Sequence, residues 1–189
     1  MPRFPLILGA AVTAFCLACG ALGAPAAQYP TTETSPTVYA LNGSAPATPA
    51  GLDFLTGGAV TVDASFLFDV ALDIDSSGNI VVYPARRVAN GLATGTSIGL
   101  QKVSASYENY TQATKNGYVF DSVLVVPVGT VVAVDVLSTV TCTVYSLGAS
   151  YFAKFIVDSI NASQRAMYTR VLTDPNCGYI ELTSGLPKK

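Results

Sequence analysis

Short runs of valine, isoleucine, threonine and aromatic residues, each ended by turn residues, succeed one another along this chain from residue 66 to residue 182. This pattern constrains the fold most, because β-branched and ring side chains suit a pleated, half-buried surface and no stripe of period 3.6 of useful length competes with it. Residues 66–74 show it most plainly. Phe66, Phe68, Val70, Leu72 and Ile74 take alternate positions with Asp69 and Asp73 between them, the period-two alternation of a strand with one buried face. Asp75-Ser76-Ser77-Gly78-Asn79 then supplies turn chemistry and residues 80–83 begin a return strand, so the unit reads as a hairpin. Further strands are expected at 97–104, 118–128, 130–138, 140–145, 151–160, 167–172 and 179–182, with Pro127 and Gly129 as breaks. Residues 105–115 are polar and read as loop. The expectation is an all-β domain over residues 52–189, an antiparallel β-sandwich or a partly open barrel.

Before that domain the character changes twice. Residues 1–26 carry one charge, Arg3, then an apolar stretch from Leu6 to Cys19 and small residues after it. That is the layout of a secretory signal peptide, and the stretch is short for a bilayer span of about 20 residues. Two processing routes compete. Ala24-Pro25-Ala26 fits signal peptidase and would leave Ala27 first. Leu17-Ala18-Cys19-Gly20 instead resembles a lipobox with Cys19 as the lipidated residue, although Cys16 stands where an aliphatic side chain is usual. The protein is thus expected to be secreted, or anchored to the outer cell envelope as a lipoprotein. Residues 27–51, rich in alanine, proline and threonine, read as an extended lead-in or tether with room for one edge strand at 37–41.

With the leader removed, two cysteines remain, Cys142 and Cys177. In an oxidising compartment the simplest outcome is a disulfide between them. Without histidine anywhere, the chain lacks the usual general base near neutral pH, the commonest zinc ligand and the base of a hydroxyl triad. No Gly-x-Ser-x-Gly elbow or phosphate-binding glycine loop compensates, so an enzyme is not expected. The mature chain holds nine basic against twelve acidic side chains, a net of −3, which gives no footprint for nucleic acid. Half the residues are hydrophobic and 12% charged, which excludes a disordered chain.

Three groups of residues could carry binding. Asp73, Asp75, Ser77 and Asn79, with Gly78, partly match the start of a calcium loop, but Pro84 stands where the closing acid belongs. They read first as a hairpin turn facing water, and second as a calcium site. Tyr107, Tyr110 and Tyr118 lie in and beside a polar loop, where rings either cap the sandwich or offer rigid contact area to a partner or flat ligand. Asp121 and Asp135, on neighbouring apolar strands, read first as outward-facing strand residues and second as the carboxylates whose burial would matter for acid chemistry. Arg86-Arg87 reads as a solvated turn.

Taken in order, Leu52-Asp-Phe-Leu-Thr-Gly57, Phe68-Asp-Val-Ala-Leu72, Phe152-Ala-Lys-Phe-Ile-Val157 and Met167-Tyr-Thr-Arg-Val-Leu172 resemble the segments of the HmuY-like secreted haem-binding lipoproteins. That resemblance implies a β-rich domain displayed outside the inner membrane. It carries over no haem ligand, because the family's axial histidines are missing and Met167 is the sole methionine after the leader. The sequence-level expectation is a non-catalytic binding module for a protein or small apolar ligand at the cell surface. Two alternatives stand beside it: a carrier of haem or another flat apolar molecule using Met167 and the tyrosines, and a structural subunit whose valine-rich edges pair with neighbouring copies.

Overall fold

A computed structural model describes residues 26–65, 67–88, 96–142 and 147–188. Residues 1–25, with Cys16 and Cys19, and Phe66 lie outside the described residues. In chain order the elements are β1 (Thr32–Thr34), β2 (Thr37–Tyr39), β3 (Gly51–Asp53), β4 (Gly58–Val60), β5 (Val70–Ile74), β6 (Ile80–Pro84), α1 (Ala85–Val88), β7 (Thr96–Val103), β8 (Val119–Phe120), β9 (Leu124–Val126), β10 (Val131–Ser138), β11 (Ser150–Asn161) and β12 (Ala166–Asp174). They form two antiparallel sheets that do not close into a barrel, consistent with a β-sandwich. The larger runs β1-β12-β11-β10-β7-β8, with β2 also on β12; the smaller runs β4-β3-β5-β6-β9.

The pleat sorts side chains between two faces of the larger sheet. Val132, Val134 and Val136 of β10, Ala153, Phe155 and Val157 of β11, and Met167 and Val171 of β12 point inward. There they meet Leu52, Val70, Leu72, Ile80 and Val82 of the smaller sheet. Each such side chain, fully buried, stabilises the fold by roughly 1.5–3 kcal/mol before entropy is counted. The alternate positions Val131, Phe152, Ile156 and Leu172 face outward, yet they are buried too, beneath Tyr107, Ala113 and Leu182. Two loop segments make this cover. Ala113 N–H donates to Ile180 O at 2.7 Å and Leu182 N–H to Thr111 O at 2.7 Å, so the segment after β7 and the C-terminal segment brace each other over the sheet.

Several expectations need correction. The expected strand at 118–128 is two strands in two sheets, because Asp121 adopts φ 49° and turns the chain. Its carboxylate accepts from Ile98 N–H at 3.0 Å and Ser97 Oγ at 2.6 Å, with Arg86 Nη1 at 3.1 Å, and Arg87 Nε donates to the Asp121 carbonyl. The Arg86-Arg87 pair therefore fastens the crossover and is not a free solvated turn. Residues 139–142 form a turn, not the start of a strand, and 143–146 lie outside the described residues. At 179–182 only an isolated bridge forms, between Gln112 and Glu181. The hairpin strand begins at Val70, not at 66, and Phe68 joins Ala71 and Ala85 in a separate cluster instead of the face shared by Val70 and Leu72. The lead-in is extended and fastened: β1 and β2 both pair with β12, and Val38 and Ala40 are fully buried.

Cys142 and Cys177 are bonded, with Cα atoms 5.5 Å apart. The bridge joins the turn after β10 to the loop after β12, across the start of β11.

Asp69 lies just before β5, and its carboxylate accepts from Phe54 N–H at 2.7 Å. Burial pushes its pKa up to about 7, against that hydrogen bond and with a further push from Asp53. Because the folded state holds this proton more tightly than the unfolded chain, stability is greatest below the ordinary aspartate pKa and falls as pH rises toward 7. Burial shifts Asp135 and Asp174 in the same direction. The unfolding free energy is accordingly larger near about pH 5 than near about pH 8, by on the order of a few kcal/mol, the melting temperature falls with it, and Asp69→Asn flattens the profile. Calorimetry across that range checks it; a stability that rises with pH through this window contradicts the burial of Asp69.

Candidate functional site: an open apolar edge

The residues singled out by sequence do not gather into one site. Tyr107 is 3% exposed and lies between two cations, Lys154 Nζ at 4.5 Å and Arg170 Cζ at 4.4 Å from its ring. Lys154, buried in the middle of β11, donates to the carbonyls of Tyr107 at 2.7 Å and Tyr110 at 2.8 Å. Tyr118 stacks obliquely on Phe152 with ring centres 6.1 Å apart. Burial raises the phenol pKa of Tyr107 and of Tyr118. These rings therefore cover the outer face of the larger sheet. Met167, fully buried, belongs to the other face, between the sheets. The tyrosines and Met167 are separated by the sheet itself.

The turn candidates are engaged one by one. Asp73 accepts from Asn42 Nδ2 at 2.5 Å and pairs with Arg165 at 3.0 Å. Asp75 accepts from the amides of Ser77 and Asn79, both at 2.8 Å, and from Asn79 Nδ2 at 3.0 Å. These local bonds hold the Asp75 carboxyl below its ordinary range, the Asn79 contacts being the largest cause. Among the described residues no group of three or more His, Cys, Asp or Glu is placed to hold a metal ion. Asp135 sits on the outer face of β10, opposite Gly99 and Phe152, while Asp121 is spent on the crossover.

What the sequence reading missed is where the two halves of the 118–128 run end up. β8 is the edge of the larger sheet and β9 the edge of the smaller one. Since they are consecutive in the chain, they make one side of the sandwich. In β9 Leu124 and Val126 turn toward the core and Val125 turns out, 51% exposed, while Val123, just before the strand, is 44% exposed. In β8 Val119 is 59% exposed and Phe120 41%. Phe120 can lie there because its partner is Gly99: a Cβ at that position would stand 2.9 Å from the Phe120 ring and from Tyr118 Cβ. Beyond β9, Pro127 and Gly129, at φ 80°, close the turn into β10 and leave Val128 partly exposed.

Edge strands usually carry lysine, proline or a bulge that discourages further pairing. The β1 edge follows that rule in part, with Glu33 at its centre. Neither β8 nor β9 contains a charged residue. Chemically the two strands offer edge backbone and apolar side chains, with the Asp121–Arg86 ion pair in the link between them. No protein-family model matches the chain, and neither the curated proteins nor the solved structures yield a match. The likeness to the HmuY-like lipoproteins rests on the quoted segments alone.

Proposed function

We propose that this protein is a non-catalytic binding module, secreted or held at the cell surface, that engages an extended segment of a partner protein along the β8–β9 side. The observation that carries this reading is the exposure of Val119 and Phe120 on β8, of Val125 on β9 and of Val123 in the link between these two edge strands, neither of which contains a charged residue. An added strand would gain main-chain hydrogen bonds from the edge and bury the valines, the mode of recognition in which backbone supplies affinity and alternate side chains supply selectivity. The leader and the disulfide fit a protein that works outside the cytoplasm. The same edge supports one further reading, a structural subunit in which the added strand comes from another copy of this chain.

Val119→Lys together with Val125→Lys tests the proposal. Both side chains are exposed, so the melting temperature stays within a few degrees of wild type. Binding to envelope membranes of the native cell, measured by co-sedimentation, falls by about tenfold or more if each valine is a central contact. Equal binding by the variant and the wild-type chain overturns the assignment of this edge. Light scattering on the purified chain separates the partners: a mass that grows with concentration in the wild type, and not in the variant, makes the partner a second copy.

A further inference from the structure

The two ends of the sandwich differ in polarity. At one end the β5–β6 turn and the β11–β12 turn come together through Arg165, which pairs with Asp73 at 3.0 Å and donates to Asn42 O at 2.8 Å. At the other end lie the finish of β10, the start of β11 and the finish of β12, stapled by the disulfide. Here five large hydrophobic side chains are exposed, Leu137, Val140, Leu147, Tyr29 and Leu186, beside exposed Gln28 and Lys188. Val140 is 77% exposed, more than any other large hydrophobic among the described residues.

This is also the end at which the chain enters the domain. The amides of Gln28 and Tyr29 donate to Asn176 Oδ1 at 2.8 and 3.1 Å, and Asn176 Nδ2 returns a bond to Tyr29 O at 2.7 Å. Thr31 and Gly185 exchange backbone bonds at 2.7 and 3.2 Å, which brings Leu186 and exposed Lys188 to the same place. Asn176 adjoins Cys177, bonded to Cys142 two residues beyond Val140. A side chain at Gly178 would run into Leu147. Leu137, Val140, Leu147 and Leu186 thus lie at the end of the sandwich where Tyr29 and the entry segment are held.

Only six residues lie between Cys19 and Ala26, seven Cα-to-Cα steps. Fully extended, they reach about 25 Å. A lipid on Cys19 would hold this end, and no other, against the bilayer. Tyrosine prefers the headgroup level, aliphatic side chains gain from burial in the acyl boundary, and a lysine beside them is drawn to anionic headgroups.

We infer that the entry end of the sandwich is a bilayer-contacting surface, in which Tyr29, Val140, Leu147 and Leu186 rest in the headgroup region of a membrane carrying anionic lipid. The inference rests on the anchored form of the proposed function, with Cys19 lipidated. It gives the molecule an orientation: the Arg165–Asp73 end points away from the membrane, and the β8–β9 side stands free for a partner.

The absence of tryptophan makes the test direct. Two single-tryptophan chains, Val140→Trp and Val128→Trp, are produced at full length with the native leader and mixed with vesicles of phosphatidylcholine and phosphatidylglycerol. Expected is a shift of emission to shorter wavelength for Val140→Trp on vesicles, with none for Val128→Trp. If the chain sediments with the vesicles and neither emission moves, anchoring stands and the surface contact is overturned. A chain left in the supernatant overturns both. If the Val140→Trp emission shifts without vesicles and in proportion to protein concentration, a second copy covers this end and the lipid assignment fails.

Discussion

Replacing Cys142 and Cys177 together with alanine lowers the unfolding free energy by about 4 kcal/mol. The bridge closes a loop of 35 residues, and in the chain-entropy account that closure removes about 4 kcal/mol of disorder from the unfolded chain. The native side of the balance is favourable too. Cys142 is 6% exposed and packs in the main core, so its truncation removes some contact besides the link. For a domain of this size the expected fall in melting temperature is about 8–16 °C. The loss is local in origin and global in effect, because the bridge ties the ends of β10 and β12 across β11, the two strand pairs that hold the middle of the larger sheet. Thermal unfolding of wild type, oxidised and reduced, beside the double variant gives the comparison. A change of less than about 1 kcal/mol would contradict the stapling role.

Lys154→Met gives the second large effect, a destabilisation of about 2–4 kcal/mol. Methionine keeps most of the stem and removes the donors, so the carbonyls of Tyr107 and Tyr110 lose their cation while they stay under the loop. Leaving buried acceptors unmet costs about 1–3 kcal/mol each, and the contact with the Tyr107 ring adds to it. Burial lowers the Lys154 pKa, yet the ammonium is the form that can satisfy both carbonyls. A specific signature separates this role from general weakening of the core. Amide exchange in residues 105–116 should quicken well beyond that in β5 and β6, since Lys154 pins that segment to the sheet and the smaller sheet does not depend on it. Uniform quickening across both sheets would mean that Lys154 acts through β11 packing instead.

The sequence made some of this visible and hid the rest for a physical reason. Alternation at Val70, Leu72 and Ile74 with a turn at 75–79 defines the β5–β6 hairpin from neighbours alone. Cysteine counting reaches the disulfide because only one pairing remains after the leader. The division at Asp121 is not legible locally. It depends on Ser97, Ile98 and Arg86, which are 24, 23 and 35 residues away. Once the run is divided, its halves go to different sheets, so the open edge is a property of strand order that no short window contains. Lys154 left a signal, one charge within the apolar run Phe152-Ala-Lys-Phe-Ile-Val157, on the face opposite the core. The tyrosine loop was legible as a feature and ambiguous in role. Rings above a polar loop read alike as a cap or a contact surface until the two cations flanking Tyr107 are seen.

The most direct test of the account is site-resolved photo-cross-linking on the native cell surface, with the reactive group placed at Val125 on the β9 edge and, as control, at Ser163 in the exposed β11–β12 turn. A discrete adduct to another polypeptide is expected from position 125, lost when Val119→Lys is added, and none from position 163. Equal cross-linking from both positions, or none from Val125 while the chain remains folded and at the surface, would contradict the claim that the β8–β9 side is where this protein meets its partner.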